Sequence, residues 1–134
     1  MSAATAVRAG RRAAESLMLD TGKALHPTGG WVWDAEQGKD VQATEPMFGP
    51  TRCKVQTRNL GARDVEVGGR TSTSVRTELH IPADSPPLAV GDLWEFTAVD
   101  PLSLATVGQR VRIVGPVAGT LKTAARYEVS ETVT

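Results

Sequence analysis

The chain has 134 residues, a length that fits one domain able to bury a core without metals or disulfides. Lys plus Arg and Asp plus Glu stand at 15 each, so the formal net charge is zero, which argues against a dedicated nucleic-acid binder relying on excess cations. The single cysteine, Cys53, excludes an intrachain disulfide and fits a reducing compartment.

Apolar residues make up 40% of the chain but aromatics only 4%, which predicts a core built mainly of Val, Leu and Ala. Thirteen Gly and eight Pro predict many turns and a β-rich domain. The arginines at 8, 11 and 12 are not followed by the apolar run of a signal peptide, and no stretch reaches the length of a membrane span. The sequence therefore reads as a soluble protein that begins in a cytoplasm, with no membrane partner.

Residues 2–19 read as a helix with Ser2 as candidate N-cap. Val7, Ala14, Leu17 and Met18 fall on one stripe, with Arg8, Arg11, Arg12 and Glu15 on the other side. Gly10 weakens the helix by about 1 kcal/mol relative to alanine, and Asp20-Thr21-Gly22 is expected to end it. The narrow stripe suggests docking on a sheet or on a neighbouring subunit. The arginines fit either a solvated face or contact with nucleic acid or an acidic partner.

A short strand is expected over 21–27. Residues 28–48 then read as a long loop, opened by Gly29-Gly30 and followed by Gly49-Pro50. Trp31 and Trp33 near its start fit a binding surface as well as packing.

Strands follow. Cys53, Val55 and Thr57 alternate with Lys54, Gln56 and Arg58. Val65 and Val67 precede Gly68-Gly69, a hairpin-type turn. Thr71–Ile81 reads as one strand, and 82–87 as a proline-rich connector. Gly91-Asp92 turns the chain into strand 93–99, which Asp100-Pro101 stops. Val111 and Ile113 alternate in the next strand. Residues 118–120 turn, and 124–129 form the last strand with Ala125, Tyr127 and Val129 on one face. Trp94 and Phe96 share a core-facing side. The expected fold is mainly β: a single domain over 1–134, with a helix over 1–20, a loop over 28–48, and a small barrel or sandwich of about six strands over 51–131.

The residues offer little chemistry. Cys53 with His26 or His80 would be a nucleophile–base set, but Cys53 sits in an alternating strand and reads as a core residue. Asp34, Glu36, Asp40 and Glu45 fill the first, third, seventh and twelfth places of a calcium loop. Lys39 stands where its glycine should be, and flanking helices are lacking, so a solvated acidic loop is the better reading. No phosphate-cradling glycine motif joins a strand to a helix. No enzyme activity, cofactor or metal is expected.

Four segments in order carry a resemblance. They are the Arg/Ala-rich helix ending ESLMLDTGKALHPTGG (15–30), FGPTRCKVQ (48–56), LHIPADSPPLAVGDLWEFTAVDP (79–101) and VGQRVRIVGPVAGTLKTAARYEVSE (107–131). In this order and spacing the chain resembles the head-to-tail stopper, or head-closure, family of tailed actinobacterial phages. Where that family reads ATARR, this chain reads KTAAR, with one arginine in place of the pair. Segments 28–47 and 58–70 match least.

The resemblance implies a barrel-like domain with an N-terminal helix. It implies a homo-oligomeric ring of six or twelve copies in the virion neck, assembled in the host cytoplasm. The ring would sit between the head-to-tail adaptor or portal ring and the tail terminator or tail tube, with packaged DNA in its lumen. Candidate contact residues are Arg8, Arg11, Arg12, Trp31, Trp33 and Phe48. The loop over 28–48 is the candidate channel loop, through Asp34, Glu36, Lys39 and Asp40. The alternatives are another neck component, adaptor or tail terminator, or a small-barrel nucleic-acid or peptide-binding module. Adaptors are usually richer in helix and terminators mixed α/β.

Overall fold

The structure is a computed structural model, and it describes residues 2–59, 65–67, 70–72, 75–117 and 123–131. One helix, α1 (Ala3–Ser16), precedes β1 (Asp20–Asp34), β2 (Lys39–Asn59), β3 (Val65–Val67), β4 (Arg70–Ser72), β5 (Val75–Pro82), β6 (Leu93–Ala98), β7 (Arg110–Pro116) and β8 (Ala124–Glu131). Six strands close into an antiparallel barrel in the order β1-β2-β5-β8-β7-β6, and β6 pairs back onto β1. The fold is thus mainly β, a small barrel with an N-terminal helix. Closure removes the free sheet edges that a short open sheet would expose.

The alternation read from the sequence sets the inside of the barrel. Cys53, Leu79, Ile81, Trp94, Phe96 and Ile113 are buried in one cluster. Ala125, Tyr127 and Val129 join them from β8. The Tyr127 hydroxyl accepts the Leu88 N–H at 3.2 Å, which ties the proline-rich connector to the core.

Several boundaries differ from those the sequence suggests. The helix stops at Ser16, with Leu17 as its C-cap, while its Ser2 N-cap accepts the Thr5 N–H at 3.2 Å as expected. Asp20 and Thr21 do not end the helix; they open β1. Asp20 is buried and accepts the Asp100 N–H at 2.8 Å and the Ser103 hydroxyl at 2.6 Å. It thereby fastens the turn after β6 to the start of β1.

Within the stretch 71–81 the described residues belong to β4, which pairs with β3, and to β5 in the barrel. The Val67↔Arg70 pairing fits a two-residue connection, though Gly68-Gly69 themselves lie outside the described residues, as does the expected turn at 118–120.

The largest correction concerns 28–48. It is not an irregular loop but most of a long hairpin, so the barrel begins at Asp20 rather than at 51. The punctuation that suggests a loop is real but is absorbed by the ribbon. Pro27 lies beyond Leu25, where β1 has left β6, and Pro46 and Pro50 precede Lys54, where β2 first meets β5. Each strand there has only one neighbour, and a proline without an N–H is tolerated at such an edge.

Helix α1 packs on the outside of β5 and β8. The approach is close at Gly10, where a Cβ would meet Thr123 Cγ2 at 2.8 Å. The glycine that weakens the isolated helix is what lets it lie against the barrel. Leu79 and Ile81 face the interior, so Glu78 and His80 face outwards by strand alternation, yet both are buried.

Candidate interaction surfaces

Beyond Leu25 on β1 and before Lys54 on β2 the two strands pair only with each other, forming an arm. Its pairs run Trp31↔Gln42, Val32↔Val41, Trp33↔Asp40 and Asp34↔Lys39. The register shifts between Pro27 and Trp31, so that Thr28, Gly29 and Gly30 face Ala43 alone. A bulge of this kind bends and twists a ribbon. At the bend the Thr28 hydroxyl donates to the Ala43 carbonyl at 3.2 Å.

The bent arm meets the barrel at His26, which contacts Asp92, and further along at Arg110. Arg110 on β7 donates through Nη1 to the Gln42 carbonyl at 3.0 Å and through Nε to Glu95 at 3.0 Å. Glu95 also meets Lys23 at 3.1 Å. A row of charges across β1, β6 and β7 therefore supports the base of the arm.

The turn at the tip follows from its residues. Asp34 Oδ1 accepts the N–H groups of Glu36 and Gln37 at 2.9 and 3.3 Å, and Gly38 has φ +65°. This is an Asx-type turn closed by a left-handed residue.

Trp31 and Trp33 lie on one face of the arm and are 62% and 63% exposed. Val32 is exposed on the other face. Large apolar side chains on both faces of a two-stranded ribbon have no interior to enter within the chain. The structure thus gathers Trp31, Trp33, Asp34, Glu36, Lys39 and Asp40 on one element. Glu36, Lys39 and Asp40 are exposed, and Asp34 is half-buried at the turn.

Phe48 does not join them. It is half-buried against the core and meets Trp94 edge-on, with ring centroids 5.9 Å apart, so part of its ring is engaged in packing. Arg8, Arg11 and Arg12 are exposed on α1, which packs on β5 and β8 rather than on the hairpin strands.

A second apolar surface was not singled out in the sequence. Leu17, Leu19, Leu102 and Leu104 are exposed, the last two at 92% and 69%, and they line one groove of about 220 Å³ with Lys54, Val55 and Ser103. The signal was a pair of leucines beside Asp100-Pro101, in a segment otherwise polar enough to read as a plain turn.

Both histidines meet carboxylates. His26 Nδ1 lies 2.8 Å from Asp92 Oδ1, and the buried Asp92 also accepts the Ala89 N–H at 2.8 Å. The Gly91-Asp92 turn is thus stapled to β1. His80 Nε2 lies 3.0 Å from Glu78. Among the described residues no group of three or more His, Cys, Asp or Glu is placed to hold a metal ion, and no helix is long and apolar enough to cross a membrane.

Cys53 is fully buried, and burial pushes its thiol from the ordinary 9.0 up to about 12. The Asp20 carboxylate adds to the rise and the nearby Trp94 indole N–H opposes it. The thiolate is the reactive form, so the folded chain is expected to resist a thiol reagent at pH 8 and to react fully once unfolded in urea. Rapid labelling of the folded chain would contradict this. An acid whose pKa is raised by folding stabilises the fold below its unfolded value. That contribution is lost as pH rises above about 9.

A closed antiparallel barrel with a helix on its wall and a tryptophan-bearing arm defines a small β-barrel protein. The chain belongs to a family of unknown function (DUF6093), whose model matches residues 10–130. No curated protein matches the chain.

Proposed function

We propose that this chain is a structural virion protein, a head-to-tail stopper. It would form a ring in the neck of a tailed phage between the adaptor or portal ring and the tail. There it would help to retain packaged DNA and offer the tail a docking surface. The observation that carries this reading is the arm: a paired ribbon that leaves a closed barrel and holds Trp31 and Trp33 in solvent. A ring subunit needs directional contacts between different patches of identical copies, and a projecting arm supplies one such patch. Tryptophans are the side chains most enriched among residues that dominate interfaces. The zero net charge is compatible with DNA passing through a lumen without being held.

The test is electron microscopy of the tailed particle whose genome encodes the chain. The expected result is density for this barrel in a ring of six or twelve copies beneath the portal. A purified particle that lacks the chain, or carries it elsewhere than the neck, overturns the reading.

A further inference from the structure

We infer that the tryptophan face of the arm of one subunit binds Arg8 and Arg12 on helix α1 of a second copy of this chain. The inference rests on the ring reading and names the two patches that would join its subunits.

The first support is what one face of the arm carries. Residues directly opposed across an antiparallel pair project to the same side. Trp33 pairs with Asp40 and Trp31 with Gln42, so two indoles and a carboxylate share one face. Lys39 pairs with Asp34 and belongs to the other face, with Val32 and Val41. The tryptophan face thus has an anion and no cation among these four residues, and Trp31, Trp33 and Asp40 are all exposed. Glu36 adds an exposed carboxylate at the turn. An arginine matches this mixture, because its planar guanidinium pairs with a carboxylate through two N–H groups and also stacks on an indole.

The second support is where the exposed arginines stand. Arg8, Arg11 and Arg12 are exposed on α1, with the half-buried Glu15 as the acid of that helix. Arg8 and Arg12 are one helical turn apart, off the half-buried seam of Val7, Gly10 and Ala14. Thr5, Ala9 and Ser16 border them on the solvent side and are small and exposed, which leaves the guanidinium faces open. Beneath the helix, β5 and β8 turn outwards Arg76 and Arg126 against Glu78 and Glu128, so the wall adds no net negative charge. Arg52 and Arg112 are the other exposed arginines among the described residues, one on β2 and one on β7, so α1 is where they cluster.

The third support is placement. Arg110 ties the arm to β7 and His26 ties its base to the turn before β6, whereas α1 lies on β5 and β8. In the barrel order β6 is three strands from β5 in either direction, so the two patches sit on different walls of one chain. Two different patches joined head to tail propagate around an axis and close when the rotation allows, which is how one interface makes a ring. Charge fixes the orientation: arm against helix attracts, while arm against arm sets carboxylates together.

The test is charge exchange in the full chain. One variant carries Arg8→Glu with Arg12→Glu, a second Glu36→Arg with Asp40→Arg, and a third all four changes. Asp34 is left alone because it builds the turn. Circular dichroism checks that each folds, and sedimentation is followed up to millimolar concentration. The parent is expected to self-associate, and the first two variants to do so at least about tenfold more weakly, because each sets like charges together. The third variant keeps the parent's zero net charge and restores opposite charges with the sides exchanged, so its association is expected to recover. A parent that stays monomeric throughout overturns this inference and the ring reading together. Oligomers that persist unchanged in the first two variants leave the ring standing and overturn the arm-to-helix contact. A folded third variant that does not recover overturns it too, since the loss then came from net charge or from another contact. Binding of a short DNA duplex that the helix variant alone loses, with self-association intact, assigns the arginines to nucleic acid and likewise overturns it.

Discussion

Replacing Gly22 with alanine is expected to destabilise the chain by about 3 kcal/mol, at the upper end of what overpacking a core costs. A Cβ at Gly22 would stand 2.2 Å from Trp94 Nε1, 2.7 Å from Trp94 Cε2 and 2.8 Å from the Glu95 carbonyl oxygen. None of these can withdraw cheaply. Trp94 is fully buried, and its neighbours fill the barrel. The Glu95 carbonyl belongs to the β6 backbone, which pairs with β1 on one side and β7 on the other. Gly22 lies at the seam that closes the barrel, where the β1–β6 register shifts between Thr21 and Gly22. Relief there would require the seam to open. Urea denaturation should show the midpoint falling without a large change in slope, and the melting temperature falling by roughly 10 °C. Trp94→Phe shortens the clashing edge, so in the Gly22→Ala background it should cost less than it does alone. A Gly22→Ala chain within about 0.5 kcal/mol of the parent would show that the seam is looser than the contacts require.

Gly22 also shows where sequence reasoning reaches its limit. In sequence, Asp20-Thr21-Gly22 has the form of a helix terminator, because a glycine after polar residues is usually a stop. Its reason for being glycine is Trp94, more than seventy residues later, and no local pattern carries that information. The barrel strands after 51 are legible because one face of each is turned to the core and so writes its period into the sequence: Cys53 and Val55, Trp94 and Phe96, Val111 and Ile113. The arm escaped for the opposite reason. Both its faces meet solvent, so nothing imposes alternation, and its bulge and prolines imitate a loop. Trp31 and Trp33 could be singled out as surface residues, but the ribbon that holds them could not. The groove depends on four leucines from two distant segments and becomes visible only when Asp20 ties them together.

Glu78→Ala is expected to have an effect of similar size, about 3 kcal/mol or more, through charge rather than volume. Glu78 is fully buried on the outer side of β5. It accepts Arg76 Nε and Nη2 at 2.9 and 2.8 Å through one oxygen and meets His80 Nε2 at 3.0 Å through the other. Removing the carboxylate leaves a largely buried guanidinium and a buried imidazole facing a void. Breaking one side of such a set costs more than the set contributes when intact. Glu78→Gln keeps the volume and an acceptor, so it should be milder than alanine, and equal losses would point to packing alone. The same site gives a pH signature. Burial lowers the His80 pKa below the ordinary 6.5, the Lys54 and Arg126 charges lower it further, and the hydrogen bond and charge of Glu78 oppose the fall. Above pH 6.5 the imidazole is neutral in both folded and unfolded chains and adds no dependence on pH. Below it, the unfolded chain takes up a proton that the folded chain resists, so stability falls as pH drops through that window. His80→Asn removes the titrating group, and its urea midpoint should fall less steeply than the parent's between about pH 6.5 and 5. Parallel curves for parent and variant would mean that His80 is protonated as readily inside the fold as outside it.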